Sequence, residues 1–152
     1  MVEISGLFVS VWLHTSVDPP MRDWDAAIKR ILDHRAKHRI PIERLRSFVV
    51  SDGGSPNARQ RTQLAKEIYE SKPSKASVVT TVLSNPIKRG VATAIQWLNS
   101  DFRFYEPRDV DAALSWIGLE GQFEPLYAEF VVLQKGMPDV KTLAMTARAA
   151  GS

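Results

Sequence analysis

Short apolar runs alternate along this chain with segments that open on a polar residue and a proline and then continue with helical periodicity. The runs at 7–13, 48–50, 76–83 and 102–105 are rich in β-branched and aromatic residues, which predicts four strands. Between and after these runs, apolar residues recur every third or fourth position, which predicts helices. Strands that alternate with helices favour an α/β fold with a largely parallel sheet.

The periodicity predicts five helices, each with one apolar face toward the core. Asp18 before Pro19-Pro20 and Ser55 before Pro56 are predicted to cap the first two, because a polar cap followed by proline is typical of a helix start. In the first helix, Trp24 is predicted to face the core. The predicted helices cover residues 21–38, 56–71, 86–98, 107–117 and 122–135.

The length of 152 residues corresponds to one domain. We predict a single α/β domain over residues 1–136, with a four- to five-stranded, mostly parallel or mixed sheet flanked by helices. The helix at about 122–135 is an addition at the C-terminal end of that domain. It is predicted either to pack over the sheet or to dock on a second subunit. Residues 137–152 are small, polar and rich in Ala, and are predicted to form a tail.

Composition excludes several classes of protein. Hydrophobic residues make up 44% and charged residues 24% of the chain, which is typical of a globular protein. The chain has no cysteine, so disulfides, thiolate metal sites and thiol catalysis are excluded. There is no apolar run near 18 residues, and no basic segment precedes the first apolar stretch, so neither a membrane span nor a secretory signal is predicted. We therefore expect a cytoplasmic location.

Charge is unevenly distributed along the chain. Residues 21–46 carry eight basic and four acidic side chains, whereas residues 101–129 carry two basic and seven acidic ones. This asymmetry is consistent with a solvated, mixed surface or with steering toward a partner of complementary charge. The basic segments lack the interleaved aromatic residues of nucleic-acid-binding motifs, so nucleic acid is not the predicted partner.

Loops that follow parallel strands meet at one edge of a sheet, where ligands usually bind. Here these loops are residues 14–20, 51–57, 84–90 and 105–109. Ser55 is interpreted as a helix cap or as a phosphorylation site, and the adjacent glycines are compatible with an anion-binding nest. Two basic residues near the start of the helix at 86–98 either bind an anion or extend into water. The candidate partner or anion surface comprises Asp52, Gly53, Gly54, Ser55, Arg59, Lys88 and Arg89.

The sequence does not indicate a catalytic or metal site. His34 and His38 have the spacing of two metal ligands on one helix, but basic residues flank them and no third ligand is evident, so we expect exposed polar side chains. His14, Asp18 and Ser55 would make a hydrolase triad, but the chain has no G-x-S-x-G elbow. A nucleotide P-loop and a dinucleotide fingerprint are also absent from the sequence. We predict no metal and no cofactor.

Three segments carry a resemblance to a known family: FVVSDGGSPNARQR, ASVVTTVLSNPIKRGVATAIQWLN and FRFYEPRDVDAALSWIGL. Over residues 6–119 the chain resembles the STAS-like domains, in particular uncharacterised bacterial SpoIIAA-like proteins. The resemblance implies an α/β sandwich and a non-catalytic switch that docks on a partner protein. In the antagonists of this family a Ser or Thr at this turn is phosphorylated, and Ser55 is the closest match. Here Asp52-Gly53-Gly54-Ser55 precedes Pro56, whereas the antagonist turn is Asp-Ser-Ser/Thr-Gly-like.

These observations predict a non-catalytic regulatory or protein-interaction module of the STAS-like type. The predicted partner is another protein, and a homo-oligomer is left open. One alternative is a small anion- or lipid-binding protein that uses the crevice between the strand-end loops. A small α/β enzyme is the third reading, although no nucleophile and base can be paired from the sequence.

Overall fold

Five strands and four α-helices are present in the computed structural model, which describes residues 1–68, 78–83 and 102–137. The strands are β1 (Val2–Ile4), β2 (Leu7–His14), β3 (Leu45–Ser51), β4 (Val78–Leu83) and β5 (Phe102–Tyr105). The helices are α1 (Met21–His38), α2 (Ala58–Glu67), α3 (Val110–Trp116) and α4 (Phe123–Lys135). Short 3-10 turns at Ile42–Arg44 and Pro107–Asp109 precede β3 and α3. The predicted helix at 86–98 and most of the predicted tail lie outside the described residues.

The strands form one mixed sheet whose spatial order follows the chain, from β1 to β5. β1 and β2 are antiparallel, and β2, β3, β4 and β5 run parallel to one another. The Val- and Thr-rich run at 76–83 is typical of a central strand, and β4 lies between β3 and β5, so its interior position in the sheet is confirmed. The structure is therefore a mixed α/β fold built on a single sheet.

β1 is an element that the sequence analysis missed. It joins β2 through the two residues Ser5 and Gly6, which have φ angles of 50° and 77°. Positive φ at both central residues is the geometry of a tight two-residue hairpin turn. Three residues are too few to show the alternation of apolar and polar side chains that indicates a strand. The Ser5-Gly6 turn was therefore the only local sequence signal for this hairpin.

One face of the sheet packs against α3 and α4. The helical periodicity predicts that Val110, Ala113, Leu114 and Ile117 face inward, and all four are buried. α4 buries Phe123, Leu126 and Phe130 against the same face, so it packs over the sheet. The buried residues of this cluster are Ile4, Val9, Phe48, Val50, Val110, Ala113, Leu114, Ile117, Leu119, Phe123, Leu126 and Phe130.

The other face packs against α1 and the end of α2. Trp24, Ile28 and Ile31 of α1 are buried there, as the helical periodicity predicted. Leu45 of β3 and Ile68, directly after α2, complete this second cluster. Side chains alternate along β2 and β3, so each strand supplies both clusters. The sheet is thus covered on both faces in the described part of the chain.

Two predicted helix caps are wrong. α1 has Pro20 at its N-cap and no side-chain cap bond, and Asp18 lies too far upstream. α2 begins at Ala58, where Asn57 accepts the Gln60 N–H and the Gln60 side chain accepts the Asn57 N–H. This reciprocal capping box satisfies two backbone groups at once, so it defines the helix start in place of Ser55 and Pro56. The helical periodicity also predicts that Ala65 faces inward on α2, but this residue is exposed.

The bounds predicted for the first and last helices agree closely with the structure. α1 has the bounds predicted for it, and α4 begins one residue later than predicted and ends at Lys135. Gly118 follows α3 with φ of 78°, the left-handed conformation expected of a glycine there. None of the helices in the described residues is both long and apolar enough to cross a membrane.

Candidate functional site

Two loops at the carboxyl edge of the sheet, residues 15–20 after β2 and residues 52–57 after β3, are joined directly by hydrogen bonds. We call them the paired loops. The Gly54 N–H donates to the Thr15 carbonyl oxygen at 2.7 Å. The Ser55 N–H donates to Asp18 Oδ1 at 2.9 Å. Because each bond crosses from one loop to the other, the two loops form one connected surface.

Two further bonds tie the paired loops to the elements beneath them. At the end of β2, the His14 carbonyl accepts the Asp52 N–H at 3.0 Å. On α2, the Gln60 side chain donates from Nε2 to the Pro19 carbonyl at 2.8 Å. Gln60 is completely buried and also forms the capping box with Asn57. One side chain therefore fixes the start of α2 and the loop that leads into α1.

Gly54 allows the close approach of the two loops. A Cβ atom built at this position would lie 2.1 Å from the Val17 carbonyl oxygen and 2.6 Å from that of Thr15. Both are backbone atoms, so no side chain could turn aside to make room. Beside Gly54, the Ser51 hydroxyl accepts the Gly53 N–H and donates to the Gly54 carbonyl oxygen. Glycine is thus required here by the available space.

The outer side of the paired loops presents apolar and polar groups together. Val17 is 71% exposed, although its own backbone N–H and carbonyl oxygen both contact the Thr15 hydroxyl. Ser55 and Asp52 are half-buried, and Arg59 is exposed in the first turn of α2. The loop bonds fix the backbone that carries these side chains before any partner binds.

Hydrogen bonds within the paired loops already occupy the backbone N–H groups that were predicted to form an anion-binding nest. The N–H groups of Gly53, Gly54 and Ser55 already donate to Ser51 Oγ, the Thr15 carbonyl and Asp18. The Asn57 N–H donates to Gln60 Oε1. An external anion would therefore have to displace these acceptors, one of which is itself a carboxylate.

An aromatic cluster lies directly beneath the paired loops, where β2 ends. The His14 ring is nearly parallel to that of Trp12, with centroids 6.5 Å apart, and its centroid is 6.4 Å from that of Trp24. The two indole rings are 5.4 Å apart. Burial lowers the pKa of the His14 imidazole to about 4, while the negative charge of Asp18 acts in the opposite direction. His14 is therefore a neutral, packed side chain at neutral pH.

Polar groups accompany this cluster on the same face of the sheet. The hydroxyls of Ser10 and Ser47 lie 2.9 Å apart, and Ser10 Oγ accepts the indole N–H of Trp12 at 3.1 Å. Trp24 Nε1 is buried and has no hydrogen-bond partner in the described part of the chain. The imidazole of His14 packs against the two indoles, and Asp18 accepts the backbone N–H of Ser55, so the described residues do not form the hydrolase triad that the sequence analysis set aside.

The structure brings together part of the predicted surface. Asp52, Gly53, Gly54, Ser55 and Arg59 lie on or beside the paired loops. Lys88 and Arg89, and the predicted loop at 84–90, lie outside the described residues. The sequence analysis missed the contributions of Asp18 and Gln60, because both act on a segment that is distant in sequence. The only local signal was the Asn57-x-x-Gln60 spacing of a capping box.

Two other features lie toward the far end of α1. His34 and His38 have ring centroids 4.5 Å apart. A shallow depression of about 280 Å³ is lined by Leu32, Arg35, Ala36, Arg39 and Ile40. No group of three or more His, Asp or Glu side chains suited to a metal ion is found in residues 1–68, 78–83 and 102–137.

Comparison with family models, with curated proteins and with solved structures gave no match to this chain.

Proposed function

We propose that this protein is a non-catalytic interaction module of the STAS-like type, which docks on a protein partner through the paired loops. The observation that carries the proposal is the set of bonds that hold the loops together while Val17 stays 71% exposed on their outer side. A surface that is ordered before binding loses less conformational entropy on association. An exposed apolar side chain on such a surface contributes to binding because a partner pocket removes it from water.

The groups around Val17 determine what chemistry the partner surface needs. Arg59 offers a guanidinium group that pairs with carboxylates, and Ser55 offers a hydroxyl. We therefore propose a partner that has an apolar pocket for Val17 and an acidic group beside it. We also include the basic residues Lys88 and Arg89 in the proposed docking surface, and their inclusion rests on the sequence alone.

The Ser55–Asp18 contact supports a way of regulating the module. A phosphate on Ser55 would introduce about two negative charges beside the Asp18 carboxylate that accepts the Ser55 N–H. Like-charge repulsion would then weaken the bond between the loops. We propose that phosphorylation of Ser55 releases the partner by this route.

Variants of two exposed valines test the docking surface. Tagged wild-type protein, Val17→Glu and Val132→Glu are each used to recover partners from extract of the source cells. Val132 is 65% exposed and lies on α4, so it serves as a matched control of similar exposure away from the loops. The proposal expects one protein to be recovered by wild type and Val132→Glu, and at least tenfold less of it by Val17→Glu.

Several outcomes would count against this surface. Equal recovery by Val17→Glu and wild type would exclude the paired loops, and recovery of no protein would exclude docking itself. Binding of inorganic phosphate by wild type, followed by NMR and lost in Arg59→Glu, would instead favour the anion-binding alternative. For the regulatory step, Ser55→Asp should weaken recovery more than Ser16→Asp, because Ser16 is an exposed serine that makes no bond between the loops in the described structure.

A further inference from the structure

The two histidines near the end of α1 form a pair on the helix surface. His34 and His38 are one turn apart, with ring centroids 4.5 Å from each other. His38 is exposed, and His34 is half-buried with its ring at the edge of Phe8, 6.4 Å away. We propose that this pair chelates one borderline divalent transition-metal ion, such as Ni²⁺ or Zn²⁺.

The geometry favours two nitrogen ligands on one ion. Histidines four residues apart project from the same side of a helix, which is the spacing that helical metal sites use. Imidazole nitrogens bind such ions at about 2.0–2.1 Å, so rings this close can both reach one ion by rotating their side chains. Imidazole is also a preferred ligand of nickel, copper and zinc. Because the helix fixes the spacing, little conformational freedom is lost when the second ligand binds.

The structure removes part of the electrostatic argument against a cation at this position. Of the basic neighbours, Arg35 donates from Nη1 to the Ile68 carbonyl at 3.1 Å, so its guanidinium points toward the end of α2. Lys37 and Arg39 are exposed, where solvent and salt screen their charges. The charge of the Met1 ammonium also acts on His34, and that ammonium is paired with Glu129 at 3.2 Å, which offsets its charge. The pair also lies at the C-terminal end of an 18-residue helix, where the macrodipole favours a cation.

The described residues contribute two ligands, because no third His, Asp or Glu joins the pair in that part of the chain. Water molecules would complete the coordination shell. A two-histidine site of this kind binds the metal ion with modest affinity. Because both rings chelate one ion, the pair binds it far more tightly than either histidine alone.

The experiment is calorimetric titration of the full, untagged chain with Ni²⁺ near pH 7.5. The variants are His34→Gln, His38→Gln and the double substitution. A spacing control, Ala36→His combined with His38→Gln, keeps the number of histidines but places them two residues apart, on different sides of the helix. Ala36 is exposed, so the control should fold, and circular dichroism checks the helix content of every variant.

We expect wild type to bind one Ni²⁺ per chain at least tenfold more tightly than each single variant and the spacing control. Addition of EDTA should reverse the binding. The proposal is overturned if wild type binds no more tightly than the double variant, or if the spacing control binds as tightly as wild type. The buried His14 is present in every variant and cannot produce these differences.

Discussion

The carboxylate of Asp18 binds the backbone of Ser55 across a separation of 37 positions in the chain. An aspartate before two prolines is a helix-cap pattern, yet here it links two loops instead of capping α1. Because the Asp18 carboxylate binds the other loop, it is not available to cap the N-terminus of α1. At this position the link between the loops prevails over local capping.

Asp18→Ala is expected to lower the free energy of unfolding by about 1 kcal/mol, because a hydrogen bond from a backbone N–H to a charged acceptor is lost at a partly solvated site. Urea unfolding measures the change. Asp18→Asn keeps an acceptor oxygen and should lose less. Equal stability of Asp18→Ala and wild type would show that the Ser55 contact contributes nothing.

His14 makes the stability of the fold depend on pH. Its pKa is lowered from 6.5 to about 4 by burial, so between these values the unfolded chain binds the proton more tightly than the folded one. The free energy of unfolding should therefore be highest above about pH 6.5 and fall as the pH drops toward 4. A shift of this size corresponds to roughly 3 kcal/mol.

Urea unfolding at several pH values between 7 and 4.5 checks this prediction in wild type and in His14→Asn. Titration of the carboxyl groups contributes in both proteins, so the informative quantity is the difference between the two curves. The difference should shrink steadily as the pH falls. Parallel curves would mean that His14 is solvated in the folded protein.

At the scale of elements, the paired loops depend on a backbone approach that only glycine permits. Gly54→Ala should force the loops apart and lower the thermal midpoint by several degrees or more, because the added Cβ meets two carbonyl oxygens. Gly136→Ala is the matched control: that Cβ would lie 3.5 Å from its nearest neighbour, the Leu133 carbonyl, and the backbone is helical. If Gly54→Ala and Gly136→Ala have the same thermal midpoint, this account of the loops is contradicted.

The elements also show which parts of the fold the sequence could predict. α1 and the inward faces of α3 and α4 follow from helical periodicity, because the pattern repeats over several turns. β1 has only three residues, and its position depends on pairing with β2, so no local pattern specifies it. The start of α2 and the link between the loops depend on Gln60 and Asp18 meeting distant backbone groups. Those contacts exist only after the chain has folded.

At the scale of the whole molecule, the sheet separates two apolar clusters. Ile28 belongs to the cluster beneath α1, and Ile117 belongs to the one beneath α3 and α4. Each isoleucine is about 1% exposed, so replacement by valine should cost about 0.5–1.5 kcal/mol. Because the two sites share no neighbours in either cluster, we expect the costs to add to within about 0.5 kcal/mol.

Chemical denaturation of Ile28→Val, Ile117→Val and the double variant measures this additivity. Ile28→Val with Ile31→Val is the contrasting pair, because both residues belong to one cluster and are one turn apart on α1. That pair is expected to deviate from additivity. A larger deviation for the pair on opposite faces would show that the sheet transmits packing strain between the clusters.

The strand order along the sheet has a consequence for synthesis on the ribosome. Each strand that emerges can add to the free edge left by the strand before it, so no earlier pairing has to open. Ile4 and Val9, however, belong to the same apolar cluster as Leu126 and Phe130 of α4, more than a hundred positions later. The first strands to be made therefore keep an apolar face exposed until nearly all of the described chain has been translated. A nascent chain stalled before α4 should be the form of this protein that chaperones bind most strongly.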